Sequence, residues 1–160
     1  MLHPLNASRR ATRATNVARG FVGLIWLAGA AFNGLVTLRM ADPFGWLVEG
    51  SPFRVYQWFF GEVAGAHPAA WTVLLIAGEA TIGVLTLARG GWAGLGLAGG
   101  VLFSAFLFLS GTSFTLVMGP YAVLLAWLAR HDYPDSLIDS LRSRVARRTM
   151  SAAAGATESW

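Results

Sequence analysis

The sequence predicts an all-α polytopic membrane protein whose fold is a bundle of four transmembrane helices. Of its 160 residues, 55% are hydrophobic and only 12% are charged, whereas about 25% of the residues in a typical soluble domain are charged. Four continuously apolar runs occupy residues 20–38, 68–87, 92–109 and 114–128, and each is close to the ~20 residues that cross a hydrocarbon core. None alternates apolar and polar residues as the strands of a membrane barrel do. The runs therefore predict helices.

Arginine predicts the orientation of the bundle. Residues 1–19 form a basic tail that contains no acid, and residues 131–160 form a second basic tail. Short loops rich in Lys and Arg stay in the cytoplasm, and Arg89 marks the turn between the second and third runs as cytoplasmic too. We therefore expect a membrane domain at residues 20–130 of a bacterial inner-membrane protein, with both termini in the cytoplasm.

The first run has a competing interpretation as a secretory signal peptide. The apolar segment FVGLIWLAGA ends in Ala28, Gly29 and Ala30, a pattern that resembles a signal-peptide cleavage site. We favour a membrane span because the apolar run continues through Leu35 and Leu38.

The loop at residues 43–68 is rich in aromatic side chains. Within it, Ser51 and Pro52 are typical of the N-cap and first turn of a helix, so residues 52–63 are predicted to form a short helix. We expect this helix between the first two spans to lie at the outer membrane interface, with its aromatics in the headgroup layer. The loop then serves either as a membrane anchor or as a lid over a cavity that is reached from the outer leaflet.

The third run contains the pattern G-x-G-x-x-G at residues 94–99, which is also the pattern of a dinucleotide-binding turn. That turn requires a preceding strand and an acid about 20 residues later, and this sequence predicts neither. Gly96, Gly100 and Ser104 instead recur every four residues, which predicts a stripe of small residues where a neighbouring helix approaches closely.

One carboxylate, Glu79, falls near the middle of the second run. An ionised side chain at the centre of a membrane helix costs about 2.5–3.5 kcal/mol on insertion scales, so we expect Glu79 to face the interior of the bundle and to be protonated. Thr72, Gly83 and Thr86 lie on the same helical stripe, which supports this orientation.

Each of the other three helices has one polar residue at a similar predicted depth, since a helix rises about 1.5 Å per residue. These residues are Asn33, Ser104 and Tyr121. Together with Glu79 they form the candidate ligand-binding site. One interpretation is that Glu79 only ties helices together through a hydrogen bond; the other is that the cluster binds the polar head of a quinone-like or other lipid-soluble molecule, or passes a proton.

Residue types exclude several kinds of chemistry. The chain contains no cysteine, so disulfides, thiol relays, iron–sulfur ligation and covalent c-type haem are excluded. Its three histidines lie outside the middle of the apolar runs and form no zinc-spaced cluster, and we identify neither a metal site nor a catalytic residue. The basic residues 140–149 predict an amphipathic helix attracted to anionic membrane lipid, with no nucleic-acid partner, and residues 151–160 are expected to be disordered.

The same residues resemble the DoxX family of small four-helix bacterial membrane proteins. The resemblance covers about residues 19–128. It consists of Arg19, Gly23, Gly29 and Asn33 in the first helix, followed by Glu79, Gly83, Arg89 and Ala93. DoxX-like proteins are similar to the small membrane subunit of thiosulfate:quinone oxidoreductase, so the resemblance implies a quinone as cofactor and a soluble or membrane redox partner that supplies electrons.

Two classes of function remain open at this point. The first is a subunit of a quinone-linked redox system that binds a lipid-soluble molecule at the mid-membrane cluster. The second is a non-catalytic membrane scaffold or anchor for a partner complex. A transporter has less support because the sequence has no internal repeat.

Overall fold

The computed structural model describes residues 9–110, 115–139 and 142. The regular secondary structure of this part of the chain is helical apart from two two-residue strands, β1 (Arg9–Arg10) and β2 (His131–Asp132), which pair in parallel. The helical elements in chain order are α1 (Arg13–Leu35), a 3₁₀ helix (Thr37–Arg39), α2 (Gly45–Gly50), α3 (Arg54–Trp58), a π-helix (Phe59–Ala64), α4 (Pro68–Leu87), α5 (Gly91–Leu109) and α6 (Thr115–Leu128).

Among the described residues, three helical segments are long and apolar enough to cross a membrane: Arg13–Arg39, Pro68–Leu87 and Gly91–Leu109. The prediction of a helical membrane protein is confirmed at this level. Helix α6 is also apolar, and its described part has 14 residues, which rise about 21 Å, less than the ~30 Å of a hydrocarbon core. Pro120 lies inside α6 and does not end it.

Helix α1 begins seven residues before the predicted span. Thr12 caps it, because the Thr12 hydroxyl accepts a hydrogen bond from the backbone N–H of Thr15 at 3.3 Å. Arg19, which the sequence places in the basic tail, therefore lies inside α1, where it is fully buried. Burial is tolerated because backbone carbonyls from distant parts of the chain accept its hydrogen bonds.

Glycines set the close approach of neighbouring helices. Helix α1 packs along α4, α4 along α5, and α5 along α6. Where α1 crosses α4, a methyl group on Gly83 would lie 3.0 Å from the carbonyl oxygen of Gly23. Where α4 meets α5, a methyl group on Gly96 would collide with the backbone nitrogen of Thr86. The predicted stripe is confirmed, since Gly96, Gly100 and Ser104 are all buried.

The two ends of the bundle differ, and we name them by their residues. At the Arg19 end, Arg19, the α4–α5 turn and the segment after α6 come together. At the loop end, residues 36–67 connect α1 to α4. The main apolar core belongs to the Arg19 half of the bundle, and its buried members are Val22, Trp26, Ala93, Leu97, Leu125, Leu128 and Tyr133.

The loop folds differently from its prediction. The helix expected at residues 52–63 begins at Arg54, continues into a π-helix to Ala64, and has Phe53 instead of Ser51 at its N-cap. Ser51 follows α2 directly, and its hydroxyl accepts a bond from the N–H of Phe53 within the turn that joins α2 to α3. The sequence did not predict α2 itself.

Two predictions fall on residues that the structure does not describe. These are the basic helix at residues 140–149 apart from Arg142, and the disordered end at residues 151–160. They lie outside the described residues and stay predictions.

Candidate functional site

The buried face of α4 carries the candidate acid. Its buried residues are Thr72, Glu79, Gly83 and Thr86, while Leu74 and Val84 on the other side are exposed. The predicted orientation of this helix is therefore confirmed. Glu79 is 8% exposed, so the helix turns its one carboxyl group away from the surroundings of the bundle.

A chain of hydrogen bonds joins that carboxyl group to α1. The side-chain amide of Asn33 donates to Oε2 of Glu79 at 2.7 Å, and the hydroxyl of Thr37 donates to Oδ1 of Asn33, also at 2.7 Å. Because Thr37 engages the amide oxygen, the amide NH₂ faces the carboxyl group. Gly29 provides the space on α1, since a methyl group there would lie 3.3 Å from Oε1 of Glu79.

The carboxyl group borders a cavity of about 510 Å³ in the loop half of the bundle. All four long helices contribute to its wall, and the segment that follows α1 covers it. Most of the wall is apolar. The lining residues are Ile25, Trp26, Gly29, Phe32, Asn33, Thr37, Met40, Pro43, Phe44, Trp46, Leu47, Leu75, Glu79, Phe103, Leu107, Met118 and Tyr121.

Tyr121 lies on the wall of the same cavity. Its hydroxyl oxygen is buried and has no hydrogen-bond partner in the described part of the chain. Its ring contacts Trp26 across the bundle, with ring centroids 6.1 Å apart. A buried hydroxyl without a partner loses free energy, but this oxygen is also closed off from water-sized molecules, so a ligand atom reaches it only after the Tyr121 side chain or its neighbours move.

Ser104 has a different environment. Its side chain is fully buried and its hydroxyl oxygen also lacks a partner within the described ranges, but Ser104 is not part of the cavity wall. The structure thus brings Glu79, Asn33 and Tyr121 to one cavity and leaves Ser104 in the packed part of α5. Similar depth does not ensure similar direction, because position around a helix turns by about 100° per residue.

The cavity wall also includes residues that the sequence did not identify. Thr37 falls one helical turn after Asn33, and this i, i+4 spacing would have identified it as a neighbour. Phe44, Trp46 and Leu47 come from the loop and from α2, which carries no strong helix signal. Trp46 is held by a hydrogen bond from its indole N–H to the carbonyl of Pro43 at 3.0 Å.

A second buried polar cluster, at the Arg19 end, is filled instead of hollow. Arg19 donates to the carbonyl of Ala88 at 2.6 Å and to that of Asp135 at 3.2 Å, and its guanidinium carbon lies 4.2 Å from the ring centroid of Tyr133. Burial raises the pKa of Tyr133 to about 12, although the nearby Arg19 charge acts in the opposite direction. The Tyr133 hydroxyl stays protonated and donates to the carbonyl of Leu128 at 2.8 Å.

Comparison of the chain with models of known protein families, with curated proteins and with solved structures finds no match in any of the three. The class of protein therefore follows from the helices and the cavity alone: a helical membrane protein with an acid at the wall of an apolar cavity. The resemblance to the DoxX family stays a prediction.

Proposed function

We propose that this chain is a four-span protein of the bacterial inner membrane with both termini in the cytoplasm. In this topology α6 is the fourth span, and α3 with the following π-helix lies at the outer interface. The pairing of β1 with β2 supports it, because it holds the segments before α1 and after α6 together at one end of the bundle. The Arg19 end is then cytoplasmic, in agreement with the arginines there.

The function we propose is the binding of a lipid-soluble molecule with a polar head. One observation carries this proposal: the cavity of about 510 Å³ has Glu79, Asn33 and Tyr121 on an otherwise apolar wall. Ligand sites typically measure about 300–1,000 Å³ and combine apolar walls with a few polar groups. Tight packing of Gly96 against Glu79 would have argued for a filled interface, but Gly96 packs against Thr86.

A quinone of the respiratory type is the ligand that best fits this donor set. A neutral Glu79 has one O–H to donate. Oε2 already accepts from Asn33, so the acidic proton belongs on Oε1. The Tyr121 hydroxyl, which is buried without a partner in the described residues, becomes a second donor once its side chain turns toward the head, and the two carbonyl oxygens of a quinone head are acceptors. Bound quinone supplies reversible two-electron, two-proton chemistry, and the chain's own residues hold its head and exchange protons with it.

The resemblance to the DoxX family supports the same proposal and adds a partner. Since the sequence contains no cysteine, we propose that a soluble or membrane redox partner supplies the electrons. The chain then acts as the membrane subunit that positions the quinone for that partner.

The test is purification in native lipid followed by mass spectrometry of extracted quinones. We expect about one quinone per chain for the wild type and a loss of at least tenfold for Tyr121→Phe combined with Glu79→Leu, which removes both donors. Thr86→Val is the matched control, because Thr86 is a buried polar residue of α4 outside the cavity wall; it should retain the quinone. Glu79→Gln keeps a donor and tests whether ionisation matters.

The scaffold function is the second candidate, and one observation favours it. The bond between Asn33 and Glu79 joins α1 to α4, as expected of a helix-pairing contact. In that case no quinone or other extractable amphiphile co-purifies, and Glu79→Gln impairs assembly with a partner complex only as far as it lowers stability.

A further inference from the structure

The order of helix packing leaves one side of the bundle weakly joined. Successive helices pack from α1 to α4, α5 and α6, but over the described ranges α1 and α6 share no interface of comparable extent. They are linked by the ring contact of Trp26 with Tyr121 and, toward the Arg19 end, by the core that includes Val22 and Leu125. On the loop side of that ring contact, the cavity lies between them.

The wall of the cavity continues onto the outer face of α1. Ile25 and Phe32 line the cavity, yet they are 42% and 58% exposed. They are seven residues apart, so they lie almost in line along one side of the helix. On the surface of α1, Gly29 lies between the side that carries Ile25 and Phe32 and the side that contacts α4. On the other side of the gap, the half-buried Met118 of α6 lines the cavity.

The side chains on the two sides of this gap are suited to contact with lipid acyl chains. Ile25, Phe32 and Met118 are apolar, and side chains of this kind cost nothing to expose to hydrocarbon. A water-soluble ligand would meet only apolar side chains along this path before it reached Glu79. A tail that remained between α1 and α6 would cover the exposed faces of Ile25 and Phe32.

We propose that the cavity opens sideways to the lipid between α1 and α6, and that its ligand is a neutral amphiphile with a single apolar chain that arrives from the acyl layer. The head lies at Glu79 and Tyr121, and the chain extends outward across Ile25, Phe32 and Met118. The Trp26–Tyr121 contact forms the floor of the opening. This inference rests on the proposed function and adds the route and the shape of the ligand.

The cysteine-free sequence allows a direct test with single-cysteine variants. Phe32→Cys places a thiol at the side opening. Leu24→Cys is the matched control, because Leu24 is also on α1 and 60% exposed but does not line the cavity. Met40→Cys places a thiol where the cavity meets the segment after α1. Each variant is labelled in detergent with a bulky maleimide, checked by intact mass, and reconstituted into phosphatidylcholine vesicles.

The probe is a photoreactive short-chain quinone, and the readout is the amount bound to the protein. We expect the label at Phe32 to reduce the amount of probe bound, or the rate of binding, at least tenfold. The label at Leu24 should change the amount and the rate less than twofold. The label at Met40 should have a smaller effect than the label at Phe32. Binding without loss in the Phe32-labelled protein would overturn the side opening and leave the proposed function intact.

The other outcomes are equally decisive. Equal or greater loss at Met40 indicates a route past the loop from the aqueous side, and equal loss at Leu24 indicates a general effect of the label; either overturns the side opening. Disulfide-linked dimers of unlabelled Phe32→Cys in vesicles would mean that a second copy covers the gap, which also overturns it. If the unmodified wild type binds no quinone probe, the proposed function fails and this inference fails with it.

Discussion

The two ends of the bundle each take an ionisable residue and a tyrosine out of solvent, but they do so in opposite ways. At the Arg19 end, the guanidinium donates to distant carbonyls and lies against the Tyr133 ring, whose hydroxyl is also bonded. Within the described residues, the carboxyl group of Glu79 in the loop half is hydrogen-bonded on one side only, and the Tyr121 hydroxyl has no partner.

This difference shows that packing decides whether a buried polar group stabilises the fold or remains available to bind a ligand. Where space is filled and distant carbonyls accept most of the hydrogen bonds, as they do for Arg19 apart from its buried Nε, such a group ties segments together. Beside the cavity, the Glu79 oxygen that Asn33 does not engage is available to another molecule, and an unmet buried group costs about 1–3 kcal/mol. We therefore expect substitutions at the Arg19 end to change stability, and substitutions around the cavity to change stability little and ligand binding more.

The largest effect is expected for Arg19→Met. It leaves the carbonyls of Ala88 and Asp135 without their donor, and we expect the free energy of unfolding to fall by about 3 kcal/mol. Unfolding in mixed micelles with an increasing SDS fraction measures it. Arg19→Lys is the matched variant and should recover part of the loss, since it restores the charge but not the planar fork. A loss below about 1 kcal/mol for Arg19→Met would contradict the comparison.

Gly96→Ala tests the close packing of α4 and α5. The added methyl group collides with the backbone at Thr86, which cannot move as a flexible side chain can, so we expect a loss of about 2 kcal/mol. Gly94→Ala is the control on the same helix, where a methyl group meets nothing within 4 Å. It should stabilise the helix by about 0.5–1 kcal/mol. Equal effects of the two substitutions in the same unfolding titration would show that the helices are not in close contact there.

At the cavity, Asn33→Leu should cost only about 1 kcal/mol. Hydrogen bonds between membrane helices average about 0.6 kcal/mol, and the cavity leaves room for the new side chain. The same variant should weaken binding of the quinone probe severalfold, because Glu79 loses the donor that orients it. A loss of stability as large as that of Arg19→Met would mean that this bond is a structural tie, as the scaffold function requires.

The smallest effect is expected for Thr37→Val, at about 0.5 kcal/mol. Valine keeps the shape of the side chain but removes the hydroxyl that engages Oδ1 of Asn33, so the amide is free to rotate. We expect nearly unchanged unfolding with a two- to threefold weaker binding of the quinone probe. Thr86→Val, outside the cavity wall, should leave binding unchanged and show that loss of a buried hydroxyl alone is not sufficient.

The sequence was informative where a single helix decides the outcome. The spacing of Thr72, Glu79, Gly83 and Thr86 predicted the buried face of α4, because the helical repeat alone sets which residues share a face. The small residues of α5 predicted close packing for the same reason. Local signals were weaker in the loop, where Ser51 and Pro52 suggested a helix start but the chain forms α2 immediately before them.

Contacts between segments distant in sequence were not predictable. From the sequence, Arg19 is interpreted as a cytoplasmic charge. Its hydrogen bonds to the carbonyls of Ala88 and Asp135 form only in the folded chain. Depth along the bundle suggested that Ser104 and Tyr121 were equivalent, but only Tyr121 faces the cavity. No pattern in one helix records the direction in which a neighbouring helix presents its side chains.

By itself, the sequence determined that this chain is a helical membrane protein and that its one mid-helix carboxyl group faces inward, since apolar length and helical periodicity are properties of single segments. Only the tertiary structure decided that the carboxyl group borders a cavity while the arginine lies in a filled cluster. Whether space remains between helices depends on how four surfaces fit together, and that fit is a property of the whole bundle.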